Sequence, residues 1–299
     1  MSQPSVAIVI LNWNRIQLVR ECLASLSCCT YPAFRVIIVD NGSGNNEAER
    51  IREEFPEVIV SAQKKNLGFA EGNNVGMRIA LEKGFDYCLL LNNDTVVDPG
   101  FIEPLVQAME TDKSVGAVSP LIFFYDPPDM IWFAGGGPIL LGVHEKRPYF
   151  RAREKDFPYD RAYETEALSG CAFMTSREHI KNVGLLDPVF FCYCEDTDYS
   201  HRFHNAGLKM KIIPESRIWH KVSVSGGGAN NPLSLYLMGR GRVILLKKHS
   251  PVLSWLIFFP FCLGQLMMDF RRGGSRSVKA RLRGYLHGFT QKLDTAGYM

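Results

Sequence analysis

The first hundred residues of the chain predict an α/β fold built on a parallel β-sheet with helices on both faces. Three observations support this prediction. Short apolar runs of strand length alternate with segments of helical periodicity, the runs are apolar at almost every position, and polar loops follow them. Strands of a parallel sheet are buried on both faces, so they lack the polar alternation of a half-exposed strand.

The elements of this first half follow one another in a regular order. The first strand is VAIVIL at 6–11, and residues 16–26 carry the apolar spacing of a helix. The other predicted strands are 35–40, 58–62 and 87–91, and the other predicted helices are 47–54, 69–81 and 101–109. A helix between consecutive strands is the connection that parallel strands require.

From about residue 114 the sequence changes to short strands and loops that are rich in glycine and proline. In this part we predict a strand at 166–175 and a helix at 196–206 that ends at Gly207. A last strand is predicted at 212–220. The second half is therefore still α/β, but its strands are shorter and its connections longer.

The composition changes again after about residue 224. Residues 240–299 contain eleven Lys or Arg and two Asp or Glu, whereas the residues before them have a net charge of −6. An acidic body with a basic tail suggests that the tail meets an anionic surface. We predict a domain at 1–224, with halves 1–112 and 113–224, and a C-terminal helical, apolar and basic region at 225–299.

The tail contains seventeen mostly apolar residues at 252–268, interrupted by Pro260, Gly264 and Gln265. A membrane-spanning helix needs about 20 residues. Basic residues follow directly: Arg271, Arg272, Arg276, Lys279, Arg281 and Arg283. We predict a helix that lies in or dips into the cytoplasmic leaflet with these residues on anionic headgroups, while a core or oligomer contact and a true span stay open.

The overall composition favours a folded protein of the cytosol. Hydrophobic residues make up 46% of the 299 residues and charged residues 22%, which supplies a packed core and argues against disorder. The eight cysteines fit no regular disulfide framework, and the first apolar run lacks the basic leader of a secretion signal. We therefore expect reduced thiols.

Two carboxylates stand at the ends of predicted strands. The chain has no P-loop sequence, and the first strand ends in LNWNR rather than GxGxxG, which argues against a dinucleotide site. Asp40 and Asp94 follow the second and fourth strands, at the sheet edge where α/β proteins bind ligands. One carboxylate could accept from a base or ribose, and the other could hold a divalent cation beside a diphosphate. Taken singly, each is also explained as a turn or a helix cap.

The stretch VFFCYCEDTDYSHRFHNAG at 189–207 offers two kinds of chemistry. Two cysteines and two histidines suggest zinc, but CxC and the six-residue gap are tighter than the usual spacing, so we favour the cysteines as small core residues. Glu195, Asp196 and Asp198 stand at a helix N-terminus, where negative charge is favoured. They are explained either as a charged first turn or as the acid–base end of an active site.

Taken in order, the motifs resemble a known family. They are VAIVILNWNR, VIIVDNGS, NLGFAEGNNVG, LLLNNDTVV, LSGCAFMTSRE, GLLDPVFFCYCEDTDYSHRFHNAG and a Trp-His pair at 219–220. This set is similar to the family 2 inverting glycosyltransferases of the GT-A fold, in the bacterial rhamnosyltransferase-like subgroup. The resemblance runs from residue 6 to about 248. It implies a Rossmann-like mixed sheet with helices on both faces.

The resemblance implies roles for individual residues. The nucleotide-sugar site is implied to consist of Asn12, Asn14, Asp40, Asn66, Gly68, Asn74, Asn92 and Asn93. Asp94 and His220 are implied to bind Mg²⁺ or Mn²⁺, although Asn92 stands where many relatives have Asp, which weakens the field around the metal. Asp196 and Glu195 are implied to be the catalytic residues, with Asp196 corresponding to the general base. The acceptor is implied to bind around Ser169, Gly170 and Cys171.

The implied activity is inverting transfer of a sugar, such as rhamnose, from a dTDP-, UDP- or GDP-linked donor. The acceptor would be a lipid-linked saccharide or a polysaccharide at the cytoplasmic face of a bacterial inner membrane, with no nucleic acid as partner. No QxxRW-type signature stands near the end of the domain, so we expect one sugar per acceptor. The alternative is a degenerate protein of this fold that binds or assembles glycans. Nucleotidyl transfer is disfavoured because LNWNR is not a basic, glycine-rich phosphate loop.

Overall fold

The computed structural model describes residues 3–137, 147–222 and 231–293. The predicted domain boundary at 224/225 and the glycine triplet at 226–228 lie outside the described residues, so the boundary stays a prediction.

The described residues form ten strands of a single mixed sheet and eight α-helices. The strands are β1 (Val6–Asn12), β2 (Phe34–Asp40), β3 (Ile59–Ala62), β4 (Tyr87–Leu91), β5 (Thr95–Val97), β6 (Val115–Phe124), β7 (Ile131–Phe133), β8 (Tyr163–Thr165), β9 (Ala172–Ser176) and β10 (Lys209–His220). The helices are α1 (Ile16–Leu26), α2 (Glu47–Glu54), α3 (Gly68–Glu82), α4 (Ile102–Thr111), α5 (Arg177–Val183), α6 (Glu195–Asn205), α7 (Pro232–His249) and α8 (Trp255–Thr290).

The sheet order is β3-β2-β1-β4-β9-β6-β10-β5, with β7 beside β6 and β8 beside β10. The first four of these strands are parallel, as the sequence predicts, whereas β9 runs antiparallel between β4 and β6. The register pairs Asn12 with Asp40 at the ends of β1 and β2. The polar loops after the parallel strands therefore meet at one edge of the sheet.

Both faces of the sheet are covered, because successive residues of a strand point to opposite sides. Ile8 and Ile10 of β1 pack with apolar residues of α1 and α4 on one face. Ala7 and Val9 pack on the other face with residues of α3 and α6. The resulting helix–sheet–helix layering confirms the predicted fold class.

The predicted strand at 166–175 is wrong in its first part. Only residues 172–176 form a strand, while Ser169, Gly170 and Cys171 make a tight turn in which the Ala172 N–H donates to the Ser169 carbonyl at 3.3 Å. The apolar residues of the predicted run are buried in this turn. Apolar composition alone therefore could not distinguish the buried turn from a buried strand.

The C-terminal region is a helical hairpin packed on α7. Gly273 and Gly274 have non-helical dihedral angles, so α8 turns back on itself there. Ring contacts join the two arms: Trp255 stacks on Phe289 with centroids 5.1 Å apart, and Phe258 contacts Tyr285 at 5.8 Å.

Arg281 does not extend into solvent as the sequence suggested. It is 4% exposed and pairs with Asp269 across the turn, with Arg281 Nη2 at 3.1 Å from Asp269 Oδ1. The prediction that Arg281 faces lipid headgroups is therefore wrong. Its buried guanidinium needs a carboxylate partner, and Asp269 supplies it.

Candidate active site

A buried polar network joins the ends of β1, β2 and β4. The Asn12 amide nitrogen donates to Asp40 Oδ1 at 3.1 Å and to Glu47 Oε2 at 2.9 Å, and Asn93 donates to Asn12 Oδ1 at 3.3 Å. All four side chains are at least nine-tenths buried. Because each amide is fixed by its neighbours, Asn12 holds Asp40 in one orientation at the sheet edge.

The loops on either side of Asp40 are tied together. Asn14, in the left-handed region at φ 55°, donates its N–H to Ser43 Oγ at 2.8 Å and accepts from the Gly44 N–H at 2.8 Å. Asp40 Oδ2 accepts from the Ser43 N–H at 3.2 Å. The LNWNR and DNGSG loops are therefore held together at this edge of the sheet.

The loop that leads into α3 is tied to the same edge of the sheet. Asn41 donates to Asn66 Oδ1 at 3.1 Å and to the Gly68 carbonyl at 3.0 Å, and Asn66 Oδ1 also accepts from the Gly68 N–H at 2.8 Å. Asn74 is buried and bonds in both directions to the Leu186 backbone, at 2.8 and 3.0 Å. Asn66 and Gly68 are thus held in the loop by Asn41, while Asn74 ties α3 to the chain at Leu186. Their role at a nucleotide sugar stays a prediction.

Asp94 and His220 meet where β5 pairs with β10. His220 Nε2 lies 3.1 Å from Asp94 Oδ1, and both side chains are buried. Trp132 contacts the imidazole edge to face, with centroids 4.4 Å apart. Burial opposes protonation of His220, but Cys171 and Asp94 raise its pKa to about 10. The Asp94 carboxylate therefore favours the protonated imidazole, and binding of a metal ion by His220 would require the release of that proton.

The pair fits a divalent cation that takes its remaining ligands from the substrate and from water. In the described parts of the chain no group of three His, Cys, Asp or Glu is placed to hold a metal. One carboxylate and one imidazole are donors that suit Mg²⁺ or Mn²⁺ when diphosphate and water supply the rest. Asn92, half-buried and two residues before Asp94 in the chain, carries an amide rather than a second carboxylate.

The turn at 169–171 joins this pair to Asp196. The Gly170 N–H donates to Asp196 Oδ2 at 3.0 Å, while the Cys171 carbonyl accepts from the Asn92 N–H at 2.8 Å. The Cys171 side chain contacts His220. Ser169, Gly170 and Cys171 are buried, with Ser169 Oγ accepting from the Cys171 N–H at 3.2 Å. Asp196 and the Asp94–His220 pair therefore lie on either side of one short turn.

Asp196 and Glu195 differ in environment although they are adjacent. Asp196 is half-buried, and its Oδ1 accepts from the Thr197 N–H at 2.7 Å. Glu195 is 5% exposed, and burial, followed by the charge of Asp196, raises its pKa well above the ordinary value. Of the two carboxyl groups, Asp196 is the more exposed, and it is the one bonded to the turn at 169–171.

Two site residues were missed by the sequence reasoning. Glu47 orients Asn12 and also accepts from the Arg15 N–H at 3.1 Å, and Asn41 holds the loop at 66–68. A Glu in the first turn of a helix is already explained by the helix dipole. An Asn before Gly is already explained as a turn. Neither position therefore carried a distinguishing signal.

The chain matches the family model of glycosyl transferase family 2 over residues 7–184, which is more than half of its length. The chain belongs to this family. The glycosyltransferase is 28% identical over 226 residues to the N-acetylglucosaminyl-diphospho-decaprenol L-rhamnosyltransferase of Mycobacterium tuberculosis, a match that covers 69% of this chain and 72% of the relative. It is 26% identical over 228 residues, 73% of each chain, to the dTDP-rhamnosyl transferase RfbF of Shigella flexneri.

A solved structure, that of GalNAc-T7 with UDP, GalNAc and Mn²⁺, superimposes on this chain with a TM-score of 0.67 at 17% identity. The superposition covers 97% of this chain and 58% of that protein. At this identity the likeness concerns the fold, and it confirms the GT-A class. The enzyme is thus a family 2 glycosyltransferase of rhamnosyltransferase-like type.

Proposed function

We propose that this glycosyltransferase moves one sugar, rhamnose by analogy with its named relatives, from a nucleoside diphosphate to a hydroxyl of a lipid-linked saccharide or polysaccharide. The transfer inverts the anomeric configuration and is not processive. The Mycobacterium tuberculosis and Shigella flexneri relatives are both named as rhamnosyltransferases, which supports the sugar. The name of the former, a diphospho-decaprenol enzyme, supports a lipid-linked acceptor.

One observation carries the proposal. The turn at 169–171 connects a half-buried carboxylate, Asp196, to the Asp94–His220 pair on its other side. Inverting displacement needs a base on the acceptor side of the sugar and a positive charge on the diphosphate side. In this proposal the donor sugar binds beside the turn, between the base on one side and the Asp94–His220 pair on the other.

The nucleotide lies, in this proposal, at the ends of β1 and β2. Asp40, oriented by Asn12 and Glu47, faces the nucleobase, and the loop at 66–68 covers the donor sugar. The buried network fixes Asp40 before the donor arrives, so little ordering is needed on binding. The acceptor binds over the turn formed by Ser169, Gly170 and Cys171, in which the Gly170 N–H bonds to the proposed general base, Asp196.

Transfer is a single displacement. The acceptor oxygen attacks the anomeric carbon and its proton passes to Asp196, while the bond from that carbon to the diphosphate oxygen breaks and its electron pair leaves with the diphosphate. The Gly170 N–H holds the carboxylate in position during this step. Asp94 and His220 would hold Mg²⁺ or Mn²⁺, which when bound supplies positive charge to the leaving diphosphate.

The test is a hydrolysis panel of dTDP-, UDP- and GDP-sugars with and without Mg²⁺ or Mn²⁺, run on the wild type, Asp94→Ala and Asp196→Asn. We expect one donor to be used. Asp94→Ala should abolish the metal-dependent hydrolysis of that donor and weaken donor binding. Asp196→Asn should keep the affinity for the nucleotide and lower kcat by ~10²–10⁴-fold. Nucleotide binding without turnover in the wild type would instead identify a degenerate glycan-binding protein.

We further infer that α8 lies on an anionic membrane surface. By length and composition the helical segment Val252–Thr290 could cross a membrane. The turn at 273–274, however, folds the second arm back along the first, which favours a helical hairpin that lies in the plane of the membrane surface. An exposed apolar stripe runs along the first arm: Leu256, Phe259, Leu263, Met267 and Phe270. Exposed basic residues follow at the end of the first arm and along the second: Arg271, Arg272, Arg276, Lys279 and Arg283.

Sedimentation with anionic and neutral vesicles tests this inference. Replacing Arg271, Arg272 and Arg276 by Glu should weaken binding to anionic vesicles strongly, since each basic residue near the surface contributes about 1 kcal/mol. The control carries the same charge change at exposed lysines of the sheet domain: Lys83, Lys113 and Lys181. Equal loss in both variants, or sedimentation that neither affects, would contradict the inference.

A further inference from the structure

The segment that delivers Asp196 has an unusual backbone. Three of its residues that are not glycine, Phe191, Tyr193 and Cys194, have φ angles of 63°, 69° and 75°. Each such residue costs of order 1–2 kcal/mol, so the conformation persists only where the surroundings hold it. We name residues 190–196 the base segment. Its shape must be imposed from outside.

Helix α7 packs directly on the base segment. A Cβ added at Gly241 would lie 2.9 Å from Cys194 Sγ and 3.0 Å from the Tyr193 carbonyl, so only glycine allows this approach. Two turns earlier in α7, Ser234 Oγ lies 3.2 Å from Tyr193 Oη. Arg240 Nη1 donates to the Phe190 carbonyl at 3.4 Å. The helix therefore contacts the segment at its strained residues.

The other end of α7 is locked to the catalytic helix itself. Asp198, two residues after Asp196 in α6, accepts from Lys248 at 2.6 Å, His249 at 2.7 Å and Arg202 at 2.9 Å. Burial alone would raise the pKa of Asp198, but His249, Arg202 and Lys248 outweigh it and lower the pKa to about 2. A fully buried carboxylate that bonds to Lys248 and His249 of α7 gives a rigid joint between α6 and α7.

The base segment also reaches the donor side of the cleft. The Phe191 carbonyl accepts from the Phe69 N–H at 2.5 Å and the Ala70 N–H at 3.2 Å, at the start of α3. One segment of chain thus contacts the loop proposed to cover the donor sugar, carries the proposed base and rests on α7. A shift in α7 would move the segment without moving the network of Asn12, Asp40 and Glu47.

We propose that α7 is a positioning element for catalysis: its contacts through Gly241 and Ser234 impose the strained conformation that aims Asp196 at the acceptor. The proposal rests on the proposed role of Asp196 as base. It gives the C-terminal helical region a part in the reaction beyond membrane attachment. Gly241 and Ser234 are positioning residues, since they act through residues 193 and 194 rather than on substrate.

The decisive comparison uses two glycines of α7 that face opposite ways. Gly241→Ala places a methyl group against residues 193 and 194, whereas Gly239→Ala places one 3.0 Å from the Arg281 carbonyl of α8. The two variants share the substitution, the helix and the tightness of the contact. For Gly241→Ala we expect kcat for donor hydrolysis to fall about 10- to 100-fold, with the donor KM and nucleotide affinity within about twofold of wild type. Gly239→Ala should keep wild-type kcat.

The outcomes separate this proposal from the proposed function. Equal kcat in both glycine variants, or a Gly241→Ala effect confined to KM, would overturn the positioning role while Asp196→Asn still loses turnover. Full activity of Asp196→Asn would instead overturn the role of the base. If Gly241→Ala does not fold by circular dichroism, Ser234→Ala carries the test. It removes only the hydroxyl bonded to Tyr193, and it should lower kcat severalfold at unchanged KM, whereas an unchanged kcat would refute the proposal.

Discussion

Gly68 is the residue at which a single methyl group should do the most damage to the cleft. Its φ of 86° lies in the left-handed region, and a Cβ there would lie 2.5 Å from the Phe191 carbonyl oxygen and 2.6 Å from the Phe191 ring. The ring can rotate away. The carbonyl cannot move without disturbing the base segment, because it accepts from the first N–H groups of α3.

The expected magnitude has two parts. Placing alanine in the left-handed region costs about 1–2 kcal/mol. Overpacking against a fixed carbonyl adds about 1–3 kcal/mol. Gly207 provides a matched control, because its φ is 71° and a Cβ there would meet nothing within 4 Å. Gly207→Ala therefore carries the first cost without the second, and the difference between the two variants isolates the contact with Phe191.

Urea denaturation followed by circular dichroism measures both variants. We expect Gly68→Ala to lower the free energy of unfolding by ~1–3 kcal/mol more than Gly207→Ala does. We also expect it alone to reduce donor turnover. Equal destabilisation by the two substitutions, with equal activity, would show that the α3 loop does not rest on the Phe191 carbonyl and would refute the reasoning.

Two further predictions concern buried ionisable groups. Glu47→Ala removes the oxygen that accepts from Asn12 and from the Arg15 N–H, so nucleotide affinity measured by titration calorimetry should fall about tenfold. Glu49→Ala, on the exposed side of the same helix, should leave that affinity unchanged. Burial, followed by the stacked His249, lowers the pKa of His201 from 6.5 to about 4, so the unfolded chain takes up this proton first and stability should fall as pH drops from about 6.5 to 4. Melting temperatures across that range should fall less steeply in His201→Gln than in the wild type, and parallel curves would contradict the assignment.

The sequence by itself determined the parallel half of the sheet and its polar edge. Continuous apolar runs can be satisfied only by burial on both faces, so the periods of β1 to β4 and α1 to α4 were predictable to within a few residues. Strand ends in such a sheet share an edge, and this rule alone brings Asp40 and Asp94 to the same edge of the sheet. The ordered motifs identified the family.

Only the tertiary structure decided which side chains hold those groups in place. Glu47 and Asn41 have ordinary local explanations, and their role comes from partners 35 and 25 residues away in the chain. The turn at 169–171 lies in a segment whose composition is typical of a strand. Arg281 stands among basic residues that are typical of a membrane-facing tail. In each case the local sequence satisfies two structures equally well. The choice was made by long-range packing and by the need of each buried polar group for a partner, neither of which periodicity or composition records.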